Sequence, residues 1–484
     1  MTSVPQKIDV ARGQIDDSLW IDNERLPASG QTLVDVDDSA SEQVIASVRS
    51  ASRDDVDRAF IAARRAQSGW AQVPVDERIR VVREATRILE ANGAALADVL
   101  VSEVGTLAAS VDKVQVGFGL NAITVTADSA LHAFETQQLT NSVVVKQPAG
   151  VVAAITPWNY PIFQVALKLA PAIIAGCSVV LKPPGVAPLT AFAMAEAFAL
   201  AGLPAGVFNI VCGPGGDIGN YLAGHSEADF VSFTGSVSAG RAVATAAAGQ
   251  GTRNAMELGG KSAAIVWDEH LLEDAVRATF SNVISNTGQT CAALTRLVVP
   301  QYLLGSAEGI LTELVAGQVV GDPRSSRSTI GPMSNRGQRD TVDAYLRAAS
   351  NDSRVRLVAQ ASMDEVSKGW FVPPTVFTAS DHTSPLVQEE IFGPVLTVQP
   401  YSSAEEAIFL ANATRFGLVA RVWTDDPEVF QRVAGQLQVG GVIQSGRPTA
   451  TEAPFGGVKD SGYGRERGLY GLEEYLIPKS IQAY

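Results

Sequence analysis

Short apolar runs alternate with amphipathic segments over much of the chain, most regularly between residues 150 and 255. Four of these runs are largely apolar: 151–156, 178–182, 207–212 and 230–233. A helical pattern follows each of them, at about 164–175, at about 189–200, after Gly215 and after Gly235. Strands that are apolar on both faces are typical of a buried parallel sheet, so this rhythm predicts a doubly wound α/β domain.

The rhythm restarts near residue 256 and predicts a second α/β domain of the same kind. Its predicted elements are a strand at 262–267, a helix at about 269–282, and later strands at 296–299, 395–400 and 418–423. Residues 1 to about 50 are polar and predict an arm with short strands. Three predicted helices follow this arm: one from about Ser52, one from Asp76 to Ala91, and one from Leu96 to Glu103.

Two strand patterns lie outside both rhythms, at about 141–147 and 474–483. Unpaired strand edges invite pairing with another chain. We therefore expect the C-terminal strand to pair with the strand near Val143 of a neighbouring subunit.

Composition narrows the class of protein. The 484 residues are too many for one hydrophobic core, and 46% apolar with 18% charged residues is typical of a well-packed globular enzyme. The net charge of −14 argues against nucleic-acid binding. No uncharged apolar run reaches the length of about 18 to 20 residues that spans a membrane. The first residues lack the apolar core of a signal peptide, so we expect a cytoplasmic protein.

The cysteines and histidines argue against two other kinds of site. Three cysteines, Cys177, Cys212 and Cys291, do not make a disulfide framework in so long a chain. The four histidines show no metal-ligand spacing with them, so no metal is expected. Cys177 and Cys212 lie in apolar strand patterns and are expected to be buried core thiols.

One stretch contains the strongest candidates for chemistry. It begins with Met256-Glu257-Leu258-Gly259-Gly260-Lys261 and ends with Asn286-Thr287-Gly288-Gln289-Thr290-Cys291. A thiolate is the nucleophile in cysteine catalysis, and an acyl-cysteine needs a base that activates water. Cys291 and Glu257 can supply these two groups. Each also has a structural alternative, which is an inert buried thiol for the cysteine and a solvated surface group for the glutamate.

Five further motifs accompany this stretch: Thr156-Pro157-Trp158-Asn159-Tyr160-Pro161, Leu181-Lys182-Pro183-Pro184, Phe233-Thr234-Gly235-Ser236, Glu389-Glu390-Ile391-Phe392-Gly393-Pro394, and Pro454-Phe455-Gly456-Gly457-Val458-Lys459-Asp460-Ser461-Gly462. Each is a weak match alone. Together, and in this order, the six motifs resemble the aldehyde dehydrogenase superfamily in its non-acylating, NAD(P)-dependent branch.

The resemblance implies a fold of two doubly wound α/β domains with a small β element for oligomerisation. The dinucleotide-binding domain would comprise residues 1–127 and 147–255. The catalytic domain would comprise residues 256–466, and the oligomerisation element residues 128–146 and 467–484.

The resemblance also implies an activity, the oxidation of an aldehyde to a carboxylic acid through a cysteine thiohemiacetal and a thioester. Cys291 would attack the carbonyl carbon, and Glu257 would activate the water that releases the acid. The side-chain amide of Asn159 and the backbone N–H of Cys291 would hold the oxyanion. Asn159 has a structural alternative as a turn residue.

NAD or NADP is the cofactor that the resemblance implies. Lys182 would bind the adenosine ribose, Glu390 would bind the nicotinamide ribose, and Phe392 would pack against the nicotinamide. The expected cofactor-binding residues are Thr156, Pro157, Trp158, Lys182, Gly215, Gly235, Ser236, Leu258, Glu390 and Phe392. The expected walls of the substrate pocket are Tyr160, Phe163, Gln164, Leu167 and Phe455. The structural alternatives include a surface lysine for Lys182, an ordinary glycine-rich loop around Gly215 and a core phenylalanine for Phe392.

Two departures from the family pattern bear on specificity. Members that favour NAD usually carry an acid three residues after the ribose lysine, where this chain has Gly185, so we expect NADP to be tolerated. Ser445 stands where the family commonly has asparagine, and we expect only a local change from it. The next loop holds Arg447, which is either a surface arginine or a clamp for the carboxylate of a semialdehyde.

Several functional alternatives stay open on the sequence alone. The largely apolar pocket favours medium aliphatic, terpenoid or aromatic aldehydes. A semialdehyde dehydrogenase, including one that acylates coenzyme A, is an alternative, as are a hydrolase that uses Cys291 and an inactive binding or structural descendant of the fold. We expect a homodimer or homotetramer that binds a small aldehyde and has no nucleic-acid or membrane partner.

Overall fold

The computed structural model describes residues 7–8, 13–364 and 366–482. Its strands, in chain order, are β1 (Gly13–Ile15), β2 (Leu19–Ile21), β3 (Glu24–Leu26), β4 (Leu33–Asp37), β5 (Val44–Arg49), β6 (Gln137–Gln138), β7 (Ser142–Pro148), β8 (Val151–Ile155), β9 (Ser178–Lys182), β10 (Phe208–Val211), β11 (Phe230–Thr234), β12 (Arg253–Glu257), β13 (Ala263–Val266), β14 (Arg296–Pro300), β15 (Val355–Gln360), β16 (Thr375–Ala379), β17 (Val395–Tyr401), β18 (Phe416–Gly417), β19 (Val419–Trp423), β20 (Gly441–Gln444), β21 (Val458–Lys459), β22 (Gly462–Tyr463) and β23 (Leu476–Gln482). Its α-helices are α1 (Arg53–Ala71), α2 (Val75–Ala91), α3 (Gly93–Val104), α4 (Phe118–Ala133), α5 (Pro161–Ala175), α6 (Leu189–Leu200), α7 (Asn220–Ala223), α8 (Val237–Gly249), α9 (Leu272–Ile284), α10 (Leu304–Ala316), α11 (Arg336–Ala349), α12 (Pro385–Gln388), α13 (Ala404–Asn412), α14 (Pro427–Ala434) and α15 (Gly468–Glu473). No helix in the described ranges is long and apolar enough to cross a membrane.

Eight strands form the first sheet, in the order β22-β12-β11-β8-β9-β10-β2-β3. The strands from β12 to β10 run parallel, and the hairpin β2–β3 and the short β22 add antiparallel edges. Val152 and Ala154 of β8 pack with α2 to α6 on one face, whereas Val151 and Ala153 pack with α1, α7 and α8 on the other. The doubly wound arrangement predicted from the apolar runs is therefore confirmed.

Seven strands form the second sheet, in the order β15-β16-β17-β14-β13-β19-β20. Its strands run parallel except for the antiparallel edge strand β15. Ala264 and Val266 of β13 pack with α9 and α10, while Ala263 and Ile265 pack with α13 and α14. The second predicted α/β unit is thus also present, with helices on both faces of its sheet.

The chain passes from the first sheet to the second between Glu257 at the end of β12 and Ala263 at the start of β13. It returns once, because β22 pairs with β12 of the first sheet. The predicted range 256–466 therefore contributes strands to both sheets. Helix α4 runs across the predicted boundary at residue 127. The division into domains stays a prediction at these two boundaries.

The C-terminal strand β23 pairs within its own chain, which corrects the expectation that it pairs with a neighbouring subunit. It lies antiparallel to β7, from Leu476 opposite Pro148 to Gln482 opposite Ser142, in a sheet ordered β23-β7-β6. The reason is that α15 packs against α4 and α5, which brings the start of β23 beside the end of β7. Ala483, the last residue of the predicted strand, lies outside the described residues.

Candidate active site

The carboxyl ends of the parallel strands bring several predicted residues to one edge of the first sheet. Thr156 follows β8, Lys182 ends β9, Gly235 follows β11 and Glu257 ends β12. In doubly wound sheets, ligands bind at this edge. The local apolar runs that set the strands therefore also set where these side chains meet.

The glycine pair after β12 allows two other segments to approach the site closely. A Cβ on Gly259 would lie 2.0 Å from Oε2 of Glu390, and a Cβ on Gly260 would lie 2.5 Å from the carbonyl oxygen of Cys291. The backbone N–H of Gly260 also donates to Oε1 of Glu390 at 2.9 Å. Glycine is required here because any larger residue would displace either the carboxylate or the cysteine loop.

Cys291 is partly exposed, whereas Cys177 and Cys212 are buried, as the sequence predicted. It follows a tight turn in which Asn286 and Thr287 have positive φ angles of 50° and 55°. Non-glycine residues in this region are uncommon, and such conformations persist where the surroundings hold them. The turn therefore precedes the one cysteine of the three whose side chain is not fully buried.

Asn159 is tied to the cysteine loop by hydrogen bonds in both directions. Its Nδ2 donates to the carbonyl oxygen of Gln289 at 2.8 Å, and its own carbonyl accepts from Nδ2 of Asn286 at 2.9 Å. Nε2 of Gln115, a residue that the sequence analysis missed, donates to the same carbonyl at 3.0 Å. The Asn159 amide is thus held two residues from Cys291 with one N–H free of these contacts.

Glu257 is only 3% exposed, and neither oxygen of its carboxyl group has a hydrogen-bond partner. Burial raises the pKa of this carboxyl well above its usual range, and the nearby Glu466 carboxylate raises it further. The ammonium of Lys168 opposes the shift. A carboxylate with a raised pKa is a stronger base than a solvated one, which suits the acceptance of a proton from a substrate or from water.

Lys168 and Glu466 form a buried ion pair that the sequence analysis missed. Their Nζ and Oε1 atoms are 2.8 Å apart, and Nζ also donates to Oγ1 of Thr234 at 2.7 Å. One signal was available, since Lys168 is the only charged residue in the otherwise apolar α5. The pair lies close enough to Glu257 to influence its charge.

Several neighbouring groups shift the pKa of the Cys291 thiol. Burial raises its pKa to about 12, and the carboxylates of Glu390 and Glu257 add to the rise. The guanidinium of Arg467 acts in the opposite direction. Since the thiolate is the reactive form, reaction at this sulfur requires a base that takes up the proton.

Lys182 and Thr156 have unused hydrogen-bonding capacity at the sheet edge. The Lys182 ammonium is buried, which lowers its pKa to about 8, and it donates to the carbonyl of Pro183 at 2.8 Å. Oγ1 of Thr156 is buried without a partner. Gly215 opens the helical turn Gly215–Gly219 beside this lysine, because a Cβ on Gly219 would lie 3.6 Å from Cε of Lys182. These groups can bind the hydroxyls of a nucleotide.

The start of α8 is built by the residues that the sequence singled out. Ser236 caps the helix by accepting from the backbone N–H of Ala239 at 3.3 Å. Gly235 donates to the carbonyl of Glu257 at 3.0 Å, which ties the turn to β12. Leu258 packs on Gly240 so closely that a Cβ there would lie 2.4 Å from its Cδ2. The helix can thus approach a phosphate with its free N–H groups.

The loop after α12 separates the two acids of the fourth motif. Glu389 forms an ion pair with Arg415 at 2.7 Å, whereas Glu390 turns towards Gly260. Phe392 has a φ of 57° and packs edge-on against Trp158, which follows Pro157, with ring centroids 5.5 Å apart. Burial raises the pKa of Glu390 to about 7.

The predicted pocket residues form one aromatic and aliphatic cluster. Tyr160, Phe163 and Leu167 pack together with Phe118, which the sequence analysis missed. The hydroxyl of Tyr160 lies 2.7 Å from Oγ1 of Thr290, so this wall adjoins the cysteine loop. The remaining predicted residues are Gln164, which is buried on α5, and Phe455, which is partly exposed.

Arg467 completes the wall and was also missed, although it lies about five residues after Gly462, the last residue of the sixth motif. Its guanidinium carbon lies 4.4 Å from the ring centroid of Phe455 and 5.4 Å from that of Phe163. Its backbone has a φ of 73° and a ψ of 147°. This region is close to one that only glycine usually adopts, at a cost of about 1–3 kcal/mol. Arg447, the sequence candidate for a charged clamp, lies instead on an exposed loop, which favours its alternative as a surface arginine.

Ser445 makes local contacts, as expected from its position in the sequence. Its hydroxyl accepts from the backbone N–H of Thr424 and donates to the carbonyl of that residue, both at 2.8 Å. The serine therefore holds the end of β20 against the end of β19.

Comparison with known proteins identifies the family of this site. A model of the Aldehyde dehydrogenase family matches residues 26–481. The 3-succinoylsemialdehyde-pyridine dehydrogenase of Pseudomonas sp is 38% identical over 468 residues, which cover 96% of this chain and 98% of that protein.

Solved structures give the same result. Aldehyde dehydrogenase C of Pseudomonas syringae, a cysteine-to-alanine mutant in complex with NAD+ and octanal, matches with a TM-score of 0.94 and 36% identity, covering 96% of both chains. A point mutant of betaine aldehyde dehydrogenase from Staphylococcus aureus in complex with NAD+ matches with a TM-score of 0.91 and 33% identity, covering 96% of this chain and 95% of that one.

Proposed function

The chain belongs to the aldehyde dehydrogenase family, and we propose that it oxidises an aldehyde to a carboxylic acid with NAD or NADP, through a thioester on Cys291. It is an oxidoreductase that acts on aldehydes. One observation supports the proposal: three groups from distant parts of the chain act on one another, since Asn159 is hydrogen-bonded to the loop before Cys291 and the Glu257 carboxylate influences the pKa of the Cys291 thiol. They are the partly exposed thiol of Cys291, the amide of Asn159 and the unpartnered carboxyl of Glu257.

The first step is the addition of the Cys291 sulfur to the carbonyl carbon. A C–S bond forms, the π electrons of the carbonyl move to oxygen, and the thiol proton passes to Glu257, which releases it to solvent before the thioester is hydrolysed. The free N–H of the Asn159 amide and the backbone N–H of Cys291 stabilise the oxyanion. Loss of one such donor typically costs about 3–4 kcal/mol in the barrier.

The residues at the sheet edge fit a dinucleotide. Lys182 has donors to spare and Thr156 a buried hydroxyl without a partner, which suits ribose and amide groups. Glu390 has one carboxylate oxygen beyond the one that accepts from Gly260, and it can bind a second ribose. The N-terminus of α8 would hold the pyrophosphate. A nicotinamide bound beside these residues would supply the acceptor for a hydride from the carbon attached to sulfur, which would leave a thioester.

Glu257 then releases the product. Its carboxylate takes a proton from water, the hydroxide oxygen adds to the thioester carbon, and the C–S bond breaks to return the thiolate of Cys291. The absence of hydrogen bonds to either of its oxygens leaves the carboxylate available for a water molecule. This role favours hydrolysis over transfer of the acyl group to coenzyme A.

The substrate is a small aldehyde whose body lies among Tyr160, Phe163, Leu167 and Phe455. Octanal is bound in the Pseudomonas syringae structure, which supports a medium aliphatic chain for this pocket as well. Terpenoid and aromatic aldehydes satisfy the same apolar walls.

We also propose the setting in which the enzyme works. A homodimer or homotetramer is supported by the outer edge of β23, with which no other described strand pairs. A cytoplasmic location is supported by the acidic net charge of −14, which is typical of a cytosolic protein. We also propose the division into domains with the residue ranges that were predicted from the sequence. Size-exclusion chromatography with light scattering would measure the oligomeric state.

A screen of aldehydes tests the proposed function. The purified protein is mixed with NAD or NADP and with aliphatic, terpenoid and aromatic aldehydes, and reduced cofactor and acid are both measured without coenzyme A. We expect stoichiometric acid and reduced cofactor, abolished by Cys291→Ala. Acid formation only when coenzyme A is present would instead identify an acylating enzyme. No reduction with any aldehyde would indicate an inactive descendant and refute the proposal.

A further inference from the structure

Arg467 is a charged group beside the reactive sulfur that no step above employs. It lies between Glu466, which is paired with Lys168, and α15. Its guanidinium carbon lies within 6 Å of three phenylalanine ring centroids, at 4.4 Å, 5.4 Å and 5.8 Å. Two of these rings, Phe163 and Phe455, were expected to line the substrate pocket. The guanidinium therefore projects into the apolar wall against which the aldehyde would pack.

The guanidinium has no partner of opposite charge in contact with it. Among the described residues, no carboxylate lies within ion-pair distance of Arg467, and its Nε is buried without a hydrogen bond. Burial lowers the pKa of its guanidinium, while Glu466 and Glu257 act on it from a greater distance. Arg467 is half-buried, and a cation that is partly removed from water without a hydrogen-bonded partner is costly, so a bound anion would stabilise it.

The backbone of Arg467 has an unfavourable conformation, which neighbouring hydrogen bonds hold in place. The N–H of Phe455 donates to the carbonyl of Glu466 at 2.8 Å, and the N–H of Glu466 donates back at 2.7 Å. The N–H of Gly471 donates to the carbonyl of Arg467 at 2.9 Å. These bonds fix both flanks of a residue with a φ of 73°. Strain that is maintained by neighbouring contacts in this way is typical of functional positions.

Arg467 is also accessible from a small pocket. It lines this pocket with Phe118, Phe163 and the exposed Asn121. Its positive charge opposes the rise in the pKa of the Cys291 thiol, so the guanidinium is near enough to the sulfur to act on it. A carboxylate that enters this pocket would therefore meet the guanidinium.

We propose that Arg467 binds a carboxylate carried by the aldehyde substrate, so that the enzyme prefers semialdehydes with a terminal carboxylate to neutral aldehydes of the same length. The proposal rests on the proposed function and narrows its substrate class, from the neutral aldehydes named there to semialdehydes whose aliphatic chain ends in a carboxylate. The planar guanidinium can donate two parallel hydrogen bonds to a carboxylate, and the aromatic walls keep water from competing. The exposed Arg447 has the same planar group but no aromatic walls around it.

A pair of matched substrates tests the preference. We compare kcat/KM for 4-oxobutanoate with that for its methyl ester, which has the same chain and aldehyde but no charge. In the unaltered enzyme we expect the anion to be favoured by about tenfold or more. Equal values, or a preference for the ester, would overturn the proposal.

Substitutions locate the preference on one residue. In Arg467→Leu we expect the anion-to-ester ratio of kcat/KM to fall by about 30-fold or more, and in Arg467→Lys by less, since a point charge remains. Any general effect of the arginine on the thiol cancels in this ratio. Arg447→Leu is the matched control and should keep the ratio. A collapse of the ratio in Arg447→Leu but not in Arg467→Leu would overturn the assignment.

A binding measurement separates failure of this proposal from failure of the proposed function. Succinate, the product expected from 4-oxobutanoate, is titrated calorimetrically into the enzyme with NAD+, and we expect binding that Arg467→Leu weakens and Arg447→Leu does not. If neutral aldehydes are oxidised but Arg467→Leu lowers both kcat/KM values equally and leaves succinate binding unchanged, only the clamp is refuted. If no aldehyde reduces the cofactor, the proposed oxidation itself fails.

Discussion

Replacing Asn159 with alanine should reduce activity far more than it reduces stability. Asn159 is 2% exposed, and its Nδ2 donates to the carbonyl of Gln289 at 2.8 Å. Loss of an oxyanion donor should cost about 3–4 kcal/mol in the barrier, which is roughly 10²- to 10³-fold in kcat/KM. Loss of the bond to Gln289 leaves a buried carbonyl with one partner fewer and should cost about 1–3 kcal/mol of unfolding free energy.

Asn209→Ala is the matched control for this experiment. Asn209 is fully buried in β10, and its Nδ2 donates to the carbonyls of Val179 at 3.3 Å and Gly206 at 2.6 Å, remote from the cysteine loop. It should lose a similar amount of stability but keep kcat/KM within about threefold, since threefold is under 1 kcal/mol. The assay is the initial rate of cofactor reduction with the best aldehyde of the screen, together with Tm from calorimetry.

Two results would refute the reasoning for Asn159. One is an Asn159→Ala enzyme that folds normally and keeps kcat/KM within about threefold of the unaltered enzyme, which is under 1 kcal/mol in the barrier. The other is an equal loss of activity in Asn209→Ala. In that case, the effect would follow from general destabilisation and not from a lost oxyanion donor.

Further predictions concern the base, the cofactor and the glycine pair. Glu257→Gln should slow deacylation more than hydride transfer and produce a burst of reduced cofactor, and a linear trace at an unchanged rate would contradict this role. The pKa of the Glu257 carboxyl is higher in the folded state than in the unfolded chain, so the folded state binds this proton more tightly. The resulting free energy of stabilisation is lost as pH rises through the raised pKa. The Tm gain of Glu257→Gln should therefore be larger at pH 8 than at pH 5, and a gain independent of pH would argue against burial of the charge. The unaltered enzyme should accept NADP, and Gly185→Glu should lower kcat/KM for NADP. If the unaltered enzyme prefers NAD by more than about a hundredfold, or near 3 kcal/mol, this inference is refuted. Gly260→Ala should abolish activity because its Cβ would lie 2.5 Å from the carbonyl oxygen of Cys291. The control is Gly309→Ala, whose Cβ would meet nothing within 4 Å and which should raise the unfolding free energy by about 0.5–1 kcal/mol. Retained activity in Gly260→Ala would refute the steric argument.

Much of the fold could be predicted because its signals are local. The apolar run 151–155 became β8 with helices on both faces, and the glycine after the third predicted helix, Gly105, ends α3 with a φ of 80°. The structure also explains why glycine occupies two positions of the central stretch. Gly259 and Gly260 have no side chain, so Glu390 and the cysteine loop can lie close to the backbone there. Hydrophobic period and backbone sterics act over a few residues, so they can be deduced without knowing any distant contact.

The surroundings of the candidate site could not be predicted in this way. Lys168 on α5 meets Glu466 nearly 300 positions later, with a separation of 298. Nothing in the periodicity of either segment indicates that the other is its partner, because a charged residue in a helix pattern is compatible with many neighbours. For the same reason, the sequence could not show which arginine lies near the pocket. It pointed to Arg447, which is exposed, and not to Arg467.

The sequence by itself determined the order and type of the main elements and the residue types from which a cysteine chemistry could be built. Only the tertiary structure decided that β23 joins β7 of its own chain, that the Asn159 amide is held against the cysteine loop, and that the Arg467 guanidinium stands among aromatic rings. The physical reason is that strand and helix formation depends on short-range pattern, whereas pairing, burial and charge environment depend on which remote segments pack together.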